Sequence, residues 1–409
     1  MQDAPKSVAI LSNLFAPLVT GSSVQAYNLG RKLAQKGVRV TVFTARVEKD
    51  LPEHEMLDGM EVFRLPCLHL PKMPIAVNFP WLSWTMLPGN LRRMRRLLEE
   101  RDCELIHVFN HMFDMALNAV LLKRRLRVPL VLSICTFIYH PNPVYNAVLS
   151  SVDATFLRWC MVRRADRLVD LDMNSARYRV KRFGAHNGTL IPMGIDFPEP
   201  PAEADVEMLR ERYGLAGRKV LLSLGHLHHL RNRMALIRGF ARSLEAWPEA
   251  KMLIVGARNY QPAEDLAKEL GLFDDRVIFT DKQPRELVPA FMELADAHSM
   301  WFDMDGDMVS SLGNANLEAM LMGKPVFGIV AEDSIGEGVL KDGESIFILD
   351  GQDTDRQVEA TLLRLWNDPD LAERVGRNAQ QAVRERMGWD TVAERHLELY
   401  AELVERGRG

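Results

Sequence analysis

The first 45 residues alternate apolar and polar positions in the manner of a β-α-β unit. VAIL at 8–11 is a short apolar run, and VRVTVFT at 38–44 alternates as a strand. Between them lie a Gly-bearing loop, NLFAPLVTGSS, and a stretch at 24–37 with apolar side chains near one face of a helix that a glycine ends. Gly21 and Ser22 fall at the carboxyl end of the first strand, where doubly wound folds bind ligands.

Later apolar runs predict further buried parallel strands with helical stretches between them. These runs are ELIHVF, VPLVLSICTF, KVLLSLG, KMLIVGA and RVIFTD. With 409 residues, the chain is long enough for two domains with separate cores. DFPEPPAEAD at 196–205 is rich in proline and acid, and it predicts the linker between them.

One loop and helix carry the strongest chemical signal. Ser310–Gly313 holds small and hydroxyl-bearing residues that let a backbone approach a ligand, and Asn314 offers a helix N-cap. Strong helix formers follow until Gly323, and Glu318 is predicted in the first turn. Because free N–H groups and the positive end of the helix dipole point at such a loop, it predicts an anion site. An ordinary loop, helix and strand of an α/β protein is the alternative.

The composition is that of a globular protein, with 47% hydrophobic and 26% charged residues. The four cysteines are scattered and form no C-x-x-C pair, which predicts reduced thiols in a cytoplasmic protein. No run reaches 18 uninterrupted apolar residues, so we expect no membrane span.

Charge is divided unevenly along the chain. Residues 1–200 hold 26 Lys and Arg against 18 Asp and Glu, whereas residues 201–409 hold 25 against 37. Basic runs at 92–96, 123–127, 163–164 and 177–182 supply much of the surplus. Each run predicts either a solvated helix face or a face that attracts an anionic membrane.

An aromatic stretch broken by prolines, MPIAVNFPWLSWTMLPGN at 73–90, stands directly before the run RRMRR. It predicts a loop that covers the core, an interfacial anchor or a greasy acceptor pocket. From Phe79, Trp81, Trp84 and the basic run, we predict that the first domain docks peripherally on an anionic membrane, at its cytoplasmic face.

Two clusters suggest metal sites, but neither has a complete ligand set. His226, His228 and His229 have no cysteine or second cluster beside them. DMDGDM at 303–308 lacks the glutamate that an EF-hand requires, because Asn314 stands in its place. We expect no metal, no cofactor and no nucleic-acid partner.

The segment NLEAMLMGKPVFG resembles the signature of glycosyltransferase family 4, retaining enzymes of GT-B fold that use sugar nucleotides. The usual family form is Glu, seven residues, Glu, then Ala-Met-Ala, one residue and Gly-Lys-Pro-Val. The second Glu falls on Glu318. The first falls on Ser310, so the chain departs from the family at a position that usually contacts the donor sugar.

Other segments extend the resemblance over nearly the whole chain. GHLHHLRN resembles the family form G-R-L, three residues, Lys-Gly, with His226 at the Arg position, Arg231 at the Lys position and Asn232 at the Gly position. Ser22 replaces the second glycine of the family's Gly-Gly, and Cys135 replaces a histidine that faces the donor sugar. TLIPMGIDF and GWDTVAERHLELY resemble the end of the first domain and the family's closing helix.

The resemblance implies an α/β protein of GT-B fold, with two Rossmann-like doubly wound domains facing each other across a cleft. It implies an acceptor-binding domain at 1–197, a sugar-nucleotide-binding domain at 207–389 and a closing helix at 390–409 that packs back on the first domain. The implied activity is retaining transfer of a hexose from a UDP- or GDP-sugar to a hydroxyl of a glycan, a lipid-linked acceptor or a small molecule.

The resemblance also implies a set of site residues. Arg231 and His226 would stabilise the departing diphosphate as catalytic groups, and Glu318 would hold the ribose hydroxyls. Asp281 would lie in the loop that contacts the nucleobase. The implied substrate-binding residues are Gly21, Ser22, Cys135, Gly225, Asn232, Asp281, Ser310, Ser311, Leu312, Gly313 and Asn314.

Two alternatives stay open on the sequence. One is another GT-B chemistry, such as a sugar-nucleotide epimerase, or a phosphorylase, for whose cofactor lysine there is no match. The other is a catalytically altered protein that keeps the fold and binds a nucleotide or a membrane, which the departures at Cys135, His226 and Ser310 favour.

Overall fold

The structure is a computed structural model that describes residues 4–18, 20–69, 83–138, 140, 142–227, 233–301 and 312–408. It forms two compact units. The first unit is Met1–Ile195 with Trp389–Gly409, and the second unit is Asp196–Gly388. The predicted linker is partly wrong, because its last residues begin a helix at Glu203.

An eight-stranded sheet forms the centre of the first unit, in the order β10-β9-β8-β7-β1-β2-β4-β3. All neighbours are parallel except β3, which pairs antiparallel with β4 at the edge. A separate two-stranded ribbon joins β5 and β6. The strands are β1 Ser7–Ser12, β2 Arg39–Ala45, β3 His54–Leu57, β4 Met60–Leu65, β5 Leu68–His69, β6 Ser83–Trp84, β7 Leu105–Phe109, β8 Leu130–Ile134, β9 Arg167–Asp170 and β10 Gly188–Leu190.

The helices of the first unit cover both faces of this sheet, as the continuously apolar central strands require. They are α1 Gly21–Gln35, α2 Pro88–Glu100, α3 Asp114–Leu126, α4 Pro143–Val152, α5 Arg158–Cys160, α6 Met173–Tyr178 and the closing helix α14 Trp389–Arg408. Two π-helical turns, Asp153–Leu157 and Arg179–Phe183, continue α4 and α6.

The second unit contains a six-stranded, wholly parallel sheet in the order β13-β12-β11-β14-β15-β16. Its strands are β11 Val220–Leu224, β12 Lys251–Val255, β13 Val277–Asp281, β14 Ala297–Ser299, β15 Val326–Gly328 and β16 Phe347–Ile348. Its helices are α7 Glu203–Tyr213, α8 Arg233–Ser243, α9 Gln261–Glu269, α10 Val288–Glu293, α11 Asn314–Leu321, α12 Thr354–Asn367 and α13 Pro369–Met387.

The closing helix α14 completes one core of the first unit. It packs against α1, and its buried side chains join the cluster formed by β1, β2 and α1. Trp389 lies so close to Gly194 that any Cβ at that position would collide with the indole ring. Among the described residues, no helix is both long enough and apolar enough to cross a bilayer.

Candidate functional site

In the second unit, the candidate site begins where β11 and β12 end. Gly225 and Gly256 both have positive φ, at 121° and 148°. A Cβ on Gly256 would lie 2.5 Å from the carbonyl of Gly225, so only glycine permits this approach of two backbones. Backbone hydrogen bonds of 2.8 Å join Gly225 to Val255 and Leu227 to Ala257. The strand ends are therefore fixed to one another.

His226 lies at this junction, exposed to solvent. Its Nδ1 accepts a hydrogen bond of 2.9 Å from the backbone N–H of Ala257. A ring nitrogen that accepts a hydrogen bond carries no proton, so Nε2 is the ring nitrogen that bears the donor hydrogen. The arrangement preserves donor character at the position where the family has arginine.

Helix α11 starts at Asn314, and Gly313 is its N-cap, with φ 72° and ψ 150°. The prediction that Asn314 caps the helix is therefore wrong, because the chain enters the helix through a conformation that is strained for every residue with a side chain. Leu312, directly before it, is buried. Glu318 is likewise one turn later than predicted, since the fifth helical residue belongs to the second turn.

A buried network that the sequence did not reveal joins the start of α11 to β11 and β14. The N–H of Leu224 donates to Nε2 of His298 over 3.2 Å, and Nδ1 of His298 lies 2.9 Å from Oδ1 of Asn316. Nδ2 of Asn316 donates to the carbonyls of Met300 and Leu312, both over 2.7 Å. Asn316 therefore fixes the residue that leads into Gly313.

Within this network His298 is kept uncharged. Burial, together with the nearby Arg233 guanidinium, lowers the pKa of His298 to about 3. Arg233 is buried and donates to the hydroxyl of Ser223 and to the carbonyls of Leu224 and Gly225. The sequence signal for this network was the pair of amide residues Asn314 and Asn316 at the start of a helix whose other residues, apart from Glu318, are apolar.

The Glu318 carboxylate forms a bidentate ion pair with Arg285. Nη1 of Arg285 donates to Oε2 over 3.0 Å, and Nη2 donates to Oε1. The Glu318 side chain is mostly buried, whereas Arg285 is largely exposed. The pair raises the pKa of Arg285, through hydrogen bonding first and charge afterwards. The carboxylate is thus oriented by a cation that lies 33 residues away in sequence.

A cavity of about 200 Å³ adjoins this ion pair within the second unit. It is lined by Asp196, Phe197, Pro198, Glu199, Arg285, Val288, Pro289, Met292 and Glu318. Asp281 ends β13 with φ 62°, and its carboxylate accepts the N–H of Lys282 over 2.8 Å. Its side chain is exposed at the edge of the sheet where a nucleobase was predicted.

In the first unit, Gly21 and Ser22 are the first residues of α1, where a loop was predicted. The earlier start follows from a capping box, in which the Thr20 hydroxyl accepts the N–H of Ser23 and the Ser23 hydroxyl accepts the N–H of Thr20. A Cβ on Gly21 would meet no atom within 4 Å. Gly21 is itself exposed.

Cys135 follows β8, and burial raises the pKa of its thiol to about 12. The cysteine is therefore a neutral group and a weak donor. His107 and His111, which end the neighbouring strand in sequence, are both buried structural residues. His107 bonds to Tyr400 over 2.6 Å and to Ser133 over 2.8 Å, and His111 lies 3.2 Å from Asp153.

Several predicted residues lie outside the described part of the chain. They are Arg231, Asn232, Ser310 and Ser311 of the predicted site, His228 and His229, the acidic segment 303–308, and Phe79 and Trp81 of the aromatic stretch. Within the described ranges, no cluster of three or more His, Cys, Asp or Glu side chains is arranged to hold a metal ion.

Two family models match the chain, one on each unit. "Glycosyltransferase Family 4" matches residues 19–197, and "Glycosyl transferases group 1" matches residues 205–382. The GDP-mannose-dependent alpha-(1-6)-phosphatidylinositol monomannoside mannosyltransferase of Mycolicibacterium smegmatis is 31% identical over 79% of this chain and 83% of its own length. A D-inositol 3-phosphate glycosyltransferase of Thermobispora bispora is 29% identical over 94% and 90%.

Among solved structures, Anabaena HepE in complex with UDP-glucose superposes with a TM-score of 0.63 at 17% identity, over 97% of this chain and 100% of that one. Two Rossmann-like units, each with a parallel sheet, are those of the GT-B class of glycosyltransferases. The chain belongs to glycosyltransferase family 4, whose members are retaining enzymes, and it is a nucleotide-sugar-dependent glycosyltransferase. The predicted family, fold class and enzyme class are confirmed.

Proposed function

We propose that the second unit binds the nucleotide sugar, with its diphosphate at the N-terminus of α11 and its ribose hydroxyls on Glu318. The observation that carries this proposal is the Glu318 carboxylate, held by Arg285 on a helix whose start is fixed to β14 by the contact of Asn316 with His298. A carboxylate accepts hydrogen bonds from adjacent hydroxyls, and N–H groups at a helix N-terminus stabilise a diphosphate.

The chemistry that we assign to this site is stabilisation of a leaving group. The bond between the sugar C1 and the β-phosphate oxygen breaks, and negative charge develops on that phosphate. Arg231, His226 and the N-terminus of α11 are the donors that stabilise it. The acceptor hydroxyl bonds to C1 on the same face of the sugar, and the departing phosphate takes its proton.

For the substrates, we infer a UDP- or GDP-hexose and a lipid-linked or envelope-bound acceptor that binds the first unit. The M. smegmatis relative is named for GDP-mannose and a phosphatidylinositol mannoside, and the HepE structure holds UDP-glucose. The surplus of basic residues before residue 200 favours an acceptor that bears phosphate or lies on an anionic membrane. We infer that the enzyme works at the cytoplasmic face of such a membrane.

Transfer assays with UDP-, GDP- and ADP-hexoses, each offered lipid-linked and water-soluble acceptors, test the proposal. We expect one nucleotide to bind in calorimetry and its sugar to be transferred with retention of the anomeric configuration. Replacing Arg231 by Ala should lower kcat/KM by about 10²-fold, the scale of losing one fixed donor. Near-normal activity of that variant removes Arg231 from the mechanism, and transfer to soluble acceptors alone contradicts the lipid-linked substrate.

A further inference from the structure

A stripe of exposed apolar side chains runs along one helical segment of the first unit. The segment comprises α4, the π turn Asp153–Leu157 and α5, and α4 contains no buried residue. The stripe residues follow one another at intervals of four or three, which places them near one face of the helix. They are Val144, Val148, Val152, Phe156 and Trp159, with exposed fractions of 68, 48, 43, 49 and 53%.

The opposite side of the same segment is anchored in the first unit. Leu157 is buried in the core beside β7 and β8. Asp153 is fully buried, with Oδ1 3.2 Å from Nε2 of His111 and Oδ2 accepting the hydroxyl proton of Tyr178. The segment that carries the stripe is therefore anchored to the first unit, and the stripe side chains are exposed while that unit is folded.

Basic side chains surround the aromatic end of the stripe. The guanidinium carbons of Arg163 and Arg158 lie 4.3 and 5.6 Å from the centroid of the Trp159 ring. Arg164 is exposed beside them and donates to the Trp159 carbonyl over 3.2 Å. Asp153 is the one acid between residues 143 and 164, and it is buried. The exposed surface of residues 143–164 therefore carries apolar side chains and positive charges, but no negative charge.

The basic run on α2 has a different environment. Arg95 pairs with Glu99 over 2.7 Å, and Arg96 lies 3.7 Å from Glu100. Their charges are largely compensated by acids on the same helix. In β6, Trp84 is 38% exposed, which is less than any residue of the stripe. The sequence had favoured this region for membrane contact.

We propose that the segment from α4 to α5 docks the first unit on an anionic lipid surface. The apolar stripe enters the boundary between headgroups and acyl chains, and Arg158, Arg163 and Arg164 bind lipid phosphates. Tryptophan beside arginine is the pairing expected at that depth, because both side chains place an apolar body next to a polar end.

A second copy of the chain fits this surface less well. A two-fold interface brings the same patch of both copies together, so the basic end of one stripe would face like charge or bare apolar surface. No exposed acid lies between residues 143 and 164 to compensate it. Charge complementarity therefore favours the anionic bilayer.

This inference deepens the proposed function by assigning the contact with the membrane to a particular surface. It rests on the proposed function for the reason that the enzyme docks, which is to reach a membrane-bound acceptor. Docking can be measured without any donor or acceptor. Nucleotide binding in calorimetry measures the other proposal separately, since no stripe residue belongs to the nucleotide site.

Flotation of the full chain with vesicles tests the inference. Vesicles of phosphatidylglycerol and of phosphatidylcholine are compared at low and moderate salt, with three double variants. Phe156→Ser with Trp159→Ser removes the apolar contact, Arg163→Gln with Arg164→Gln removes charge, and Arg95→Gln with Arg96→Gln is the matched control on α2. All of these side chains are exposed, and circular dichroism with thermal unfolding confirms that each variant is folded.

We expect the wild type and the control to bind phosphatidylglycerol alone, more weakly as salt increases. The Arg163 and Arg164 variant should bind roughly thirtyfold more weakly, the sum of two arginines near an anionic surface. The Phe156 and Trp159 variant should bind at least as weakly. Absence of flotation, unchanged flotation of both stripe variants, or a dimer in sedimentation that the stripe variants abolish would each overturn the proposal.

Discussion

At the scale of single residues, the Glu318 carboxylate would accept hydrogen bonds from both Arg285 and the ribose hydroxyls. Arg285 already donates to both oxygens, so a ribose must use the remaining lone pairs. We predict that Glu318→Gln weakens nucleotide binding by about 1.5–3 kcal/mol, the range for a hydrogen bond to a charged group. Calorimetric titration with the preferred nucleoside diphosphate measures this loss.

Arg285→Gln is the control for that prediction. If Arg285 only orients the carboxylate, its loss weakens nucleotide binding less than the loss of Glu318 does. If Glu318 is a purely structural partner of Arg285, both variants lower the free energy of unfolding while nucleotide affinity stays constant. The second pattern would remove Glu318 from the binding site.

Gly313 gives a second prediction at this scale. Its φ of 72° with ψ 150° is a region open only to glycine, and a Cβ would also lie 2.9 Å from Cε of Met300. Gly313→Ala should therefore destabilise this conformation by about 1–3 kcal/mol and shift the loop that precedes α11. We expect a lower melting temperature together with weaker nucleotide binding.

Gly271→Ala is the matched control. Gly271 also has positive φ, at 67°, but it lies in an open turn after α9 with no atom near its would-be Cβ. Its substitution should lower stability and leave nucleotide affinity unchanged. Equal affinity of both variants with the wild type would show that Gly313 does not shape the site.

The sequence predicted Glu318 and the glycine-bearing loop because their signals are local. It did not predict Arg285 as the partner of Glu318, or His298 as the partner of Asn316, because those pairs meet only after the sheet has formed. Gly313 rather than Asn314 became the cap because only glycine adopts the required backbone angles.

At the scale of elements, α14 is the helix whose removal should have the largest effect. Its large apolar side chains, including Trp389, Leu397 and Tyr400, are buried in the first unit. Burying one such side chain is worth about 1.5–3 kcal/mol. Losing the whole set matches or exceeds the roughly 5–15 kcal/mol that stabilise a typical domain.

We therefore predict that a chain truncated after Gly388 has an unfolded or aggregated first unit. Truncation after Val404 is the control, because residues 405–407 are exposed. Limited proteolysis followed by mass spectrometry identifies which unit is cleaved. Resistance of the first unit to protease in the shorter chain would contradict the prediction.

The order of strands and helices could largely be predicted from the sequence, since buried parallel strands are continuous apolar runs. The boundaries of the elements were predicted less accurately. Helix α1 starts at Gly21 because of the Thr20 and Ser23 capping box, and α7 begins inside the proline-rich segment predicted as a linker. The exposed stripe of α4 and α5 was missed because its apolar spacing equals that of a helix buried on one face.

At the scale of the whole molecule, buried histidines couple stability to pH. Burial lowers the pKa of His298 to about 3 in the second unit, and that of His396 to about 4 in the first. As pH falls below about 6.5, the unfolded chain gains a proton at each histidine and the folded chain does not, so folding is progressively disfavoured. In the first unit, Asp170 opposes this trend because burial raises its pKa to about 6.

We predict that the second unit loses about 1.6 kcal/mol of stability from His298 between pH 6.5 and pH 5, because the unfolded histidine goes from half to almost fully protonated over this interval. Hydrogen exchange in β11, β12 and β14 measures the opening free energy of this unit. The first unit should lose less per histidine because of Asp170. Constant protection of the second unit over this interval would contradict the assignment of a neutral His298.

The return of α14 to the first unit also affects how the chain folds as it is synthesised. The second unit is contiguous, Asp196–Gly388, and leaves the ribosome before Trp389–Arg408 does. The strands of the first unit are made earliest, but the core around β1 and α1 stays incomplete until that helix has emerged. In the interval, the uncovered apolar surface is exposed to chaperones and to aggregation. The unit translated first is thus the one that completes its folding last.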